Sequence, residues 1–194
     1  MLILVRHGQT TANASGLLLG RADLPLTDLG RRQAEAIAST IHGAARVVSS
    51  PLRRALETAA MLSNAVEVDE RWVEVDYGQY DMLPLRDIPQ DIWAQWRADP
   101  DFAPPGGESF TSVELRVRAA CAALAEQAAD EDVVVVSHVS PIKEGVAWAL
   151  GVSGTIAWRM HLDVAAISRV TCGLRGPSLR SFNETGHLRV LLEG

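Results

Sequence analysis

The sequence predicts an α/β protein, a three-layer α/β/α sandwich built on a doubly wound, mostly parallel sheet with an antiparallel part at its C-terminal end. Three observations carry this. Short, unalternating apolar runs recur at Leu2 to Val5, Arg46 to Val48 and Val133 to Val136, as expected of strands covered on both faces. Helical apolar patterns fill the intervals between them, and strand-helix alternation builds a parallel sheet. Near the end the pattern changes to three closely spaced segments, AAISRVT, SLRSFN and HLRVLL, separated by CGLRGP and ETG, which read as strands joined by turns.

The elements follow in order. After LILV the chain delivers Arg6 and His7. Thr27 can cap a helix that carries Ala34, Ile37 and Ile41 on one face and stops at Gly43, since glycine readily takes the left-handed conformation that closes helices. After RVV comes SSPLRRALETA, where Ser49 or Ser50 can cap a helix beginning at Pro51, with Leu52, Leu56, Ala59 and Leu62 along its inner face. Thr111 and Glu114 form a capping-box pattern ahead of Val117, Cys121, Leu124 and Ala128. VVVV then ends in Ser137 and His138, a helix covers Pro141 to Leu150 with Gly151 as its stop, and a short one precedes His161.

Composition bounds the function. At 194 residues with 47% hydrophobic and 22% charged, residues 1–194 read as a single domain. Its net charge of −6 argues against nucleic acid, and no apolar stretch approaches the roughly 20 residues of a membrane span. Neither a signal peptide nor a disulfide is indicated, because the run after Met1 is short and the two cysteines, Cys121 and Cys172, lack metal-site or redox spacing. The expected setting is the cytoplasm. Residues 79–108 break the pattern with five prolines, two tryptophans and a double glycine. They are expected to form a lid or insertion near the site, the plainer reading being a surface excursion with one short helix around Trp93 and Trp96.

In open α/β sheets ligands bind outside the carboxyl ends of the strands. Those ends supply Arg6 and His7, then Arg53 and Arg54 in the first turn of a helix, then Ser137 and His138. Gathering cations in a cleft is unfavourable unless an anion neutralises them, and a phosphoryl group suits the planar fork of arginine. The loop HGQTTAN can add backbone N–H groups and the side chains of Thr10 and Asn13. A neutral His7 could attack phosphorus, giving a phosphohistidine that water cleaves. A carboxylic acid with a pKa near roughly 6–7 would protonate the leaving alkoxide best, and RWVEVDYGQYD offers Glu74, Asp76 and Asp81 without choosing among them. Arg31 and Arg32 share a helix face with Glu35 and are expected to be solvated.

The motif LVRHGQT resembles the phosphohistidine motif of the histidine phosphatase superfamily, the clan of cofactor-dependent phosphoglycerate mutases. The resemblance extends in the family's order through GRADLPLTDLGRRQA, SSPLRRALETA, EVDYG, PGGES and VVVSH, most of residues 1–150. It implies His7 as the phosphorylated nucleophile, Arg6, Arg54 and His138 as its phosphate-binding partners, and Glu74 as the proton donor. Asn13 and Arg21 match secondary contacts, and Arg53 falls outside the core set. Two positions depart from the family: Met82 and Val139 stand where glycine is common. Val139 can still offer its backbone N–H but crowds the pocket.

The resemblance implies a phosphomonoesterase acting on a small phosphorylated metabolite, without cofactor or metal, and compatible with a homodimer. The alternatives are a phosphoglycerate mutase-type phosphotransferase and a non-catalytic phosphate-binding member. Segment 79–108 favours hydrolysis, because it has two basic residues, Arg86 and Arg97, against Asp81, Asp87, Asp91, Asp99, Asp101 and Glu108, and a doubly anionic substrate finds little help there. The aromatic pair in the lid suits a partly apolar or sugar-like leaving group. A metal-dependent hydrolase using His7, His138, Glu74 and Asp76 is opposed by Arg6 and Arg54, which would repel a divalent cation. No GxxxxGK loop or cysteine-phosphatase spacing occurs, and SPIK, although it satisfies Ser-x-x-Lys, lacks its companion motifs.

Overall fold

Strand β1 (Leu2–Arg6) lies inside a six-stranded sheet of order β3-β2-β4-β1-β5-β6. It runs parallel to β4 (Val133–Ser137), which pairs in parallel with β2 (Arg46–Ser49), as does β3 (Val66–Val68) on the other side of β2. β5 (Ile167–Thr171) is antiparallel to β1, and β6 (Ser178–Glu184) is antiparallel to β5. The structure is a computed structural model and describes residues 1–191.

Period-two alternation divides the apolar strands between two cores. Leu2, Leu4, Val133 and Val135 pack on one face with Val113, Val117, Cys121 and Leu124 of α5 (Phe110–Asp130) and Ile142 and Val146 of α6 (Val139–Leu150). Ile3, Val5, Val134 and Val136 pack on the other with Ile37 of α2 (Asp28–Ala38) and Ala55 and Ala59 of α3 (Arg53–Ala59). Each Val, Leu and Ile among them contributes about 1.5–3 kcal/mol when taken from water. Cover on both faces is the reason these strands carry no polar alternation.

Several local expectations are corrected. The helix after β2 starts at Arg53 with Leu52 as an N-cap that makes no side-chain bond. The Ser49 hydroxyl instead donates to Ser50 O at 2.9 Å, and Ser50 Oγ is engaged by His138 at 2.7 Å. Helix α5 starts at Phe110, capped by Ser109 accepting from the Ser112 N–H at 3.2 Å; Glu114 pairs with Arg118 at 2.8 Å instead of closing a capping box with Thr111. Helix α6 begins two residues before Pro141, at Val139. Strand β3 was not anticipated, because its three largely exposed residues, VEV, form no apolar run. HLRVLL is not a strand: residues 186–191 form a 3-10 helix, with Leu188 packed on the second core and His187 donating to Ala165 O at 3.0 Å, while Leu192 lies outside the described residues. Thr27 does cap α2, accepting from the Gly30 N–H at 3.0 Å, but the helix ends at Ala38 with Ser39 as its C-cap, before Ile41 and Gly43.

Segment 79–108 holds the expected short helix, α4 (Gln90–Ala98), whose Trp96 is buried against Tyr77, Tyr80, Trp93 and Phe102 in edge-on contacts. Before it the chain is strapped to residue 18 on both sides, Leu18 N–H donating to Leu83 O at 2.8 Å and Met82 N–H to Leu18 O at 2.7 Å. Cys121 and Cys172 are both free thiols.

Candidate active site: two histidines at the strand ends

Sheet register decides which residues meet. Arg6 is paired with Ser137 and Ser49 with Val136, so the following residues, His7, His138 and Ser50, leave the sheet together at its carboxyl edge. The rings of His7 and His138 lie 5.1 Å apart, tilted by 58°, and both are buried.

Their hydrogen bonds differ. His138 Nδ1 lies 3.2 Å from the Arg54 Nε–H, which can only donate, so Nδ1 is the acceptor and the Nε2–H donates to Ser50 Oγ at 2.7 Å. In His7 it is Nδ1 that donates, to the Gly8 carbonyl at 2.7 Å, which leaves Nε2 as the unprotonated nitrogen. Burial holds both rings well below the usual imidazole pKa, assisted for His7 by the Arg54 and Arg6 charges and for His138 by Arg54, His7 and Arg6. The Gly8 carbonyl pulls His7 the other way and is outweighed. Both imidazoles are neutral at pH 7.

The guanidiniums are held by oxygens that carry no charge. Arg54, fully buried in the first turn of α3, donates from Nη1 to Ala22 O at 2.8 Å and from Nη2 to Gly20 O at 2.7 Å. Arg6 donates from Nη1 to Leu162 O at 2.6 Å, and its buried Nε–H has no partner. Burial pushes both down to about 10, so both stay charged at pH 7. A buried donor left unmade is costly, and two such cations beside neutral imidazoles make an anion site.

Of the three carboxylates the sequence left open, Glu74 lines the cavity, of about 230 Å³, together with Arg6, His7, Asn13, Tyr77 and Val139. Glu74 Oε2 accepts the Val139 N–H at 3.0 Å, while Oε1 accepts those of Val75 at 2.8 Å and Ser140 at 3.2 Å. Asp81 is engaged elsewhere. It accepts the backbone N–H groups of Gly20, Arg21 and Ala22 at 2.7, 2.9 and 2.8 Å, fixing the loop whose carbonyls hold Arg54. Asp76 accepts from the Gly78 N–H at 2.9 Å.

The remaining residues named from sequence are placed as follows. The Thr10 hydroxyl donates to Asn13 Oδ1 at 2.9 Å and caps α1 (Thr11–Ala14), while Asn13 lines the cavity. Arg21 donates from Nε to Glu74 O at 2.7 Å and from Nη2 to Glu108 Oε1 at 3.0 Å, so it fixes the Glu74 backbone. The Val139 N–H goes to Glu74, and its side chain lines the cavity. Arg53 pairs with Glu57 at 2.6 Å on the surface, and Arg31 pairs with Asp28 at 3.3 Å.

Sequence reasoning missed Tyr77, a wall of the cavity, and Thr58, whose hydroxyl accepts the Gly8 N–H at 3.1 Å and donates to Arg54 O at 2.8 Å. Thr58 stands four residues after Arg54, a spacing that places its hydroxyl over that carbonyl. Among the described residues no group of three or more His, Cys, Asp or Glu is arranged to hold a metal ion.

A mainly parallel sheet that brings His7, Arg6 and Glu74 to one small cavity, with the His138 imidazole packed against His7 and the Arg54 guanidinium bonded to His138, defines an anion-handling α/β protein. The chain belongs to the histidine phosphatase superfamily (branch 1), whose family model matches residues 2–185. It is 37% identical over 198 residues to a bifunctional protein of Mycobacterium tuberculosis, covering 96% of this chain and 54% of that protein, so it spans about half that relative's length. It is 30% identical to the adenosylcobalamin/alpha-ribazole phosphatase of Escherichia coli, covering 94% and 95% of the two chains. Among solved structures, a mutant phosphoserine phosphatase of Entamoeba histolytica in complex with phosphoserine superposes with a TM-score of 0.88 at 30% identity, covering 96% of this chain and 98% of that one. A mycobacterial glucosyl-3-phosphoglycerate phosphatase superposes with a TM-score of 0.84 at 31% identity, covering 95% and 98%.

Proposed function

We propose that this protein is a phosphomonoesterase that hydrolyses a small phosphate ester through a phosphohistidine on His7. The observation that carries the reading is the difference between the two rings: His138 is bonded at both nitrogens, whereas His7 donates through Nδ1 and keeps an unprotonated Nε2. Only the second can attack phosphorus without first breaking a bond.

In the first step a P–N bond forms at His7 Nε2 as the P–O bond to the alcohol breaks, and Glu74 in its acid form gives its proton to the leaving oxygen. In the second, water attacks phosphorus, its proton goes to the Glu74 carboxylate, the P–N bond breaks and inorganic phosphate leaves. Arg6 and Arg54 hold the phosphoryl oxygens, with the Arg6 Nε–H as the donor that has no partner in the protein, and His138 joins them by turning its Nε2–H from Ser50 Oγ to the bound phosphoryl group. Asn13 adds a side-chain donor, and Thr10, Arg21 and Val139 act through their neighbours, Thr10 on Asn13 and the other two on Glu74. A positioned proton donor is worth about 10²–10⁴ in rate.

Residues 1–194 act as one domain in this reading, with 79–108 as its lid: Leu85 lines the phosphate cavity and Trp93 a chamber beside it. Hydrolysis is favoured over transfer to a second acid because Arg86 lies at the surface beside Asp87 and Arg97 stacks 6.0 Å over Trp158; neither lines the cavity. Relatives named as phosphoserine and glucosyl-3-phosphoglycerate phosphatases support a small phosphorylated metabolite as substrate. No helix among the described residues is long and apolar enough to cross a membrane; the reading is of a cytoplasmic enzyme, with a homodimer as the assembly to test.

The test is phosphate release from a panel of esters that includes 3-phosphoglycerate, with and without 2,3-bisphosphoglycerate, in chelator. The expected result is release that needs neither the bisphosphate nor a metal, and stoichiometric 32P labelling that disappears in His7→Ala. Conversion of 3-phosphoglycerate only when the bisphosphate is present would make the protein a mutase, and labelling that survives His7→Ala would overturn the mechanism.

A further inference from the structure

Tyr77 and Val139 line the phosphate cavity and also a second chamber of about 80 Å³ beside it. The walls of this chamber are aromatic: Trp93 and Phe110 meet Trp158 edge-on, at 6.3 and 5.3 Å between centroids. Lys143 and Glu144, neighbours on α6, line it as well. Their surroundings differ. Lys143 lies within the fields of Glu74 and Arg6, at the phosphate end, whereas Glu144 lies within those of Glu114 and Arg118 of α5, away from it.

Glu144 is 2% exposed, and its Oε2 has no hydrogen-bond partner. Gly154 makes room for it, since a Cβ there would stand 2.3 Å from Oε2. A buried carboxyl kept without a partner is unfavourable for folding alone. Aromatic faces and a carboxylate together attract an organic cation, while Lys143 and Arg6 favour the anionic end of the same molecule. The chamber is therefore polarised along its length.

We propose that this chamber receives the alcohol half of the substrate and that Glu144 selects alcohols bearing a primary ammonium group. The inference rests on the phosphatase reading above. Burial, with Glu114 against Arg118, raises the Glu144 carboxyl to about 7, so the selection strengthens as pH rises through neutrality. Lys143, beside Glu144 on α6, and Arg97, stacked on Trp158, are further charges around the chamber.

The test compares kcat/KM for three esters of equal size, phosphoethanolamine, 2-hydroxyethyl phosphate and propyl phosphate. The ammonium of phosphoethanolamine lowers the second ionisation of its phosphate relative to the other two esters, so kcat/KM is compared per dianion, with each ester's dianion fraction taken from its own titration. Phosphoethanolamine is expected to exceed both others by about tenfold or more at pH 8, with the ratio shrinking towards pH 6, and the preference is expected to vanish in Glu144→Gln. The pH dependence of the wild-type ratio needs no variant and stands if Glu144→Gln fails to fold. Equal kcat/KM for the three, preference for the hydroxyl or methyl ester, equal loss on all three in Glu144→Gln, or cleavage of p-nitrophenyl phosphate with none of the three accepted would each overturn the subsite. Failure to release phosphate from any ester, p-nitrophenyl phosphate included, would overturn the phosphatase reading and the subsite with it.

Discussion

The Glu74 carboxylate accepts the backbone N–H of Val139 at 3.0 Å, so the proposed proton donor is also the side chain that closes the N-terminus of α6, one residue beyond His138. Loss of the acid should therefore be visible in both chemistry and stability. Glu74→Gln is expected to slow hydrolysis of alkyl phosphates by about 10²–10⁴ and of p-nitrophenyl phosphate far less, because a good leaving group hardly needs a proton. Glu74→Ala should in addition lower stability by about 0.5–2 kcal/mol, the usual effect of removing a helix cap. Kinetics on both esters and urea denaturation check this, and equal slowing of the two esters would move the acid role to another residue.

Arg54 connects three acceptors of the site, His138 Nδ1, Gly20 O and Ala22 O, the last two on the loop that Asp81 holds by its backbone N–H groups. Lysine cannot reproduce this, since a single ammonium lacks the planar fork that reaches three acceptors in different directions. Arg54→Lys is expected to reduce kcat/KM by about 10² or more and to weaken binding of inorganic phosphate, measured by calorimetry, because His138 loses the donor that fixes its tautomer. Retained phosphate affinity in this variant would remove Arg54 from the phosphate-binding set.

Both buried histidines have pKa values below those they regain on unfolding. Above an unfolded pKa of about 6.5 neither state binds the proton, whereas below it the unfolded chain does and the folded protein does not, so acid weakens folding. At pH 5.5 each ring should therefore weaken folding, by at most about 1.4 kcal/mol, the bound set by the unfolded pKa alone. Glu144 acts oppositely, because its carboxyl is raised in the folded state and acid restores what its ionisation weakens. Urea denaturation at pH 7.5 and 5.5 should show His138→Gln losing less stability than the wild type between the two pH values, and Glu144→Gln losing more. Saturating phosphate should flatten the wild-type dependence, since a bound anion favours protonated imidazole.

The residues that end strands β1 and β4 were legible because a strand covered on both faces shows as a bare apolar run, and the polar residues that follow it stand out. Arg6, His7, Ser137 and His138 meet for that reason. What remained hidden depends on hydrogen bonds across the sheet edge. The pattern around Glu74, Asp76 and Asp81 is three carboxylates in one stretch, and only the fold sends one to the cavity, one to a turn and one to the loop at Gly20. The Ser50 hydroxyl and the Val139 N–H were assigned locally, to a cap and to the substrate, and are instead engaged by His138 and Glu74. The family resemblance, by contrast, flagged Met82 as a departure from glycine, and the backbone gives the physical reason.

Met82 has φ +65°, a left-handed conformation that costs a non-glycine L-residue about 1–2 kcal/mol. The strap to Leu18 imposes it, because the Met82 N–H donates to Leu18 O at 2.7 Å and the next carbonyl accepts the Leu18 N–H. Met82→Gly removes the strain but adds freedom to the unfolded chain, about 0.5–1 kcal/mol, so a net gain of about 0.5–1 kcal/mol is expected. Gly78 should behave oppositely: its φ is +54°, and a Cβ there would stand 2.2 Å from Pro105 O. Gly78→Ala is expected to cost about 2 kcal/mol or more, because both strain and backbone overlap must be relieved, and to lower kcat/KM by displacing Tyr77 from the cavity wall. Urea denaturation of the two variants checks the pair: a stabilised Gly78→Ala or a destabilised Met82→Gly would show that the strap, rather than the backbone conformation, sets the stability of this segment.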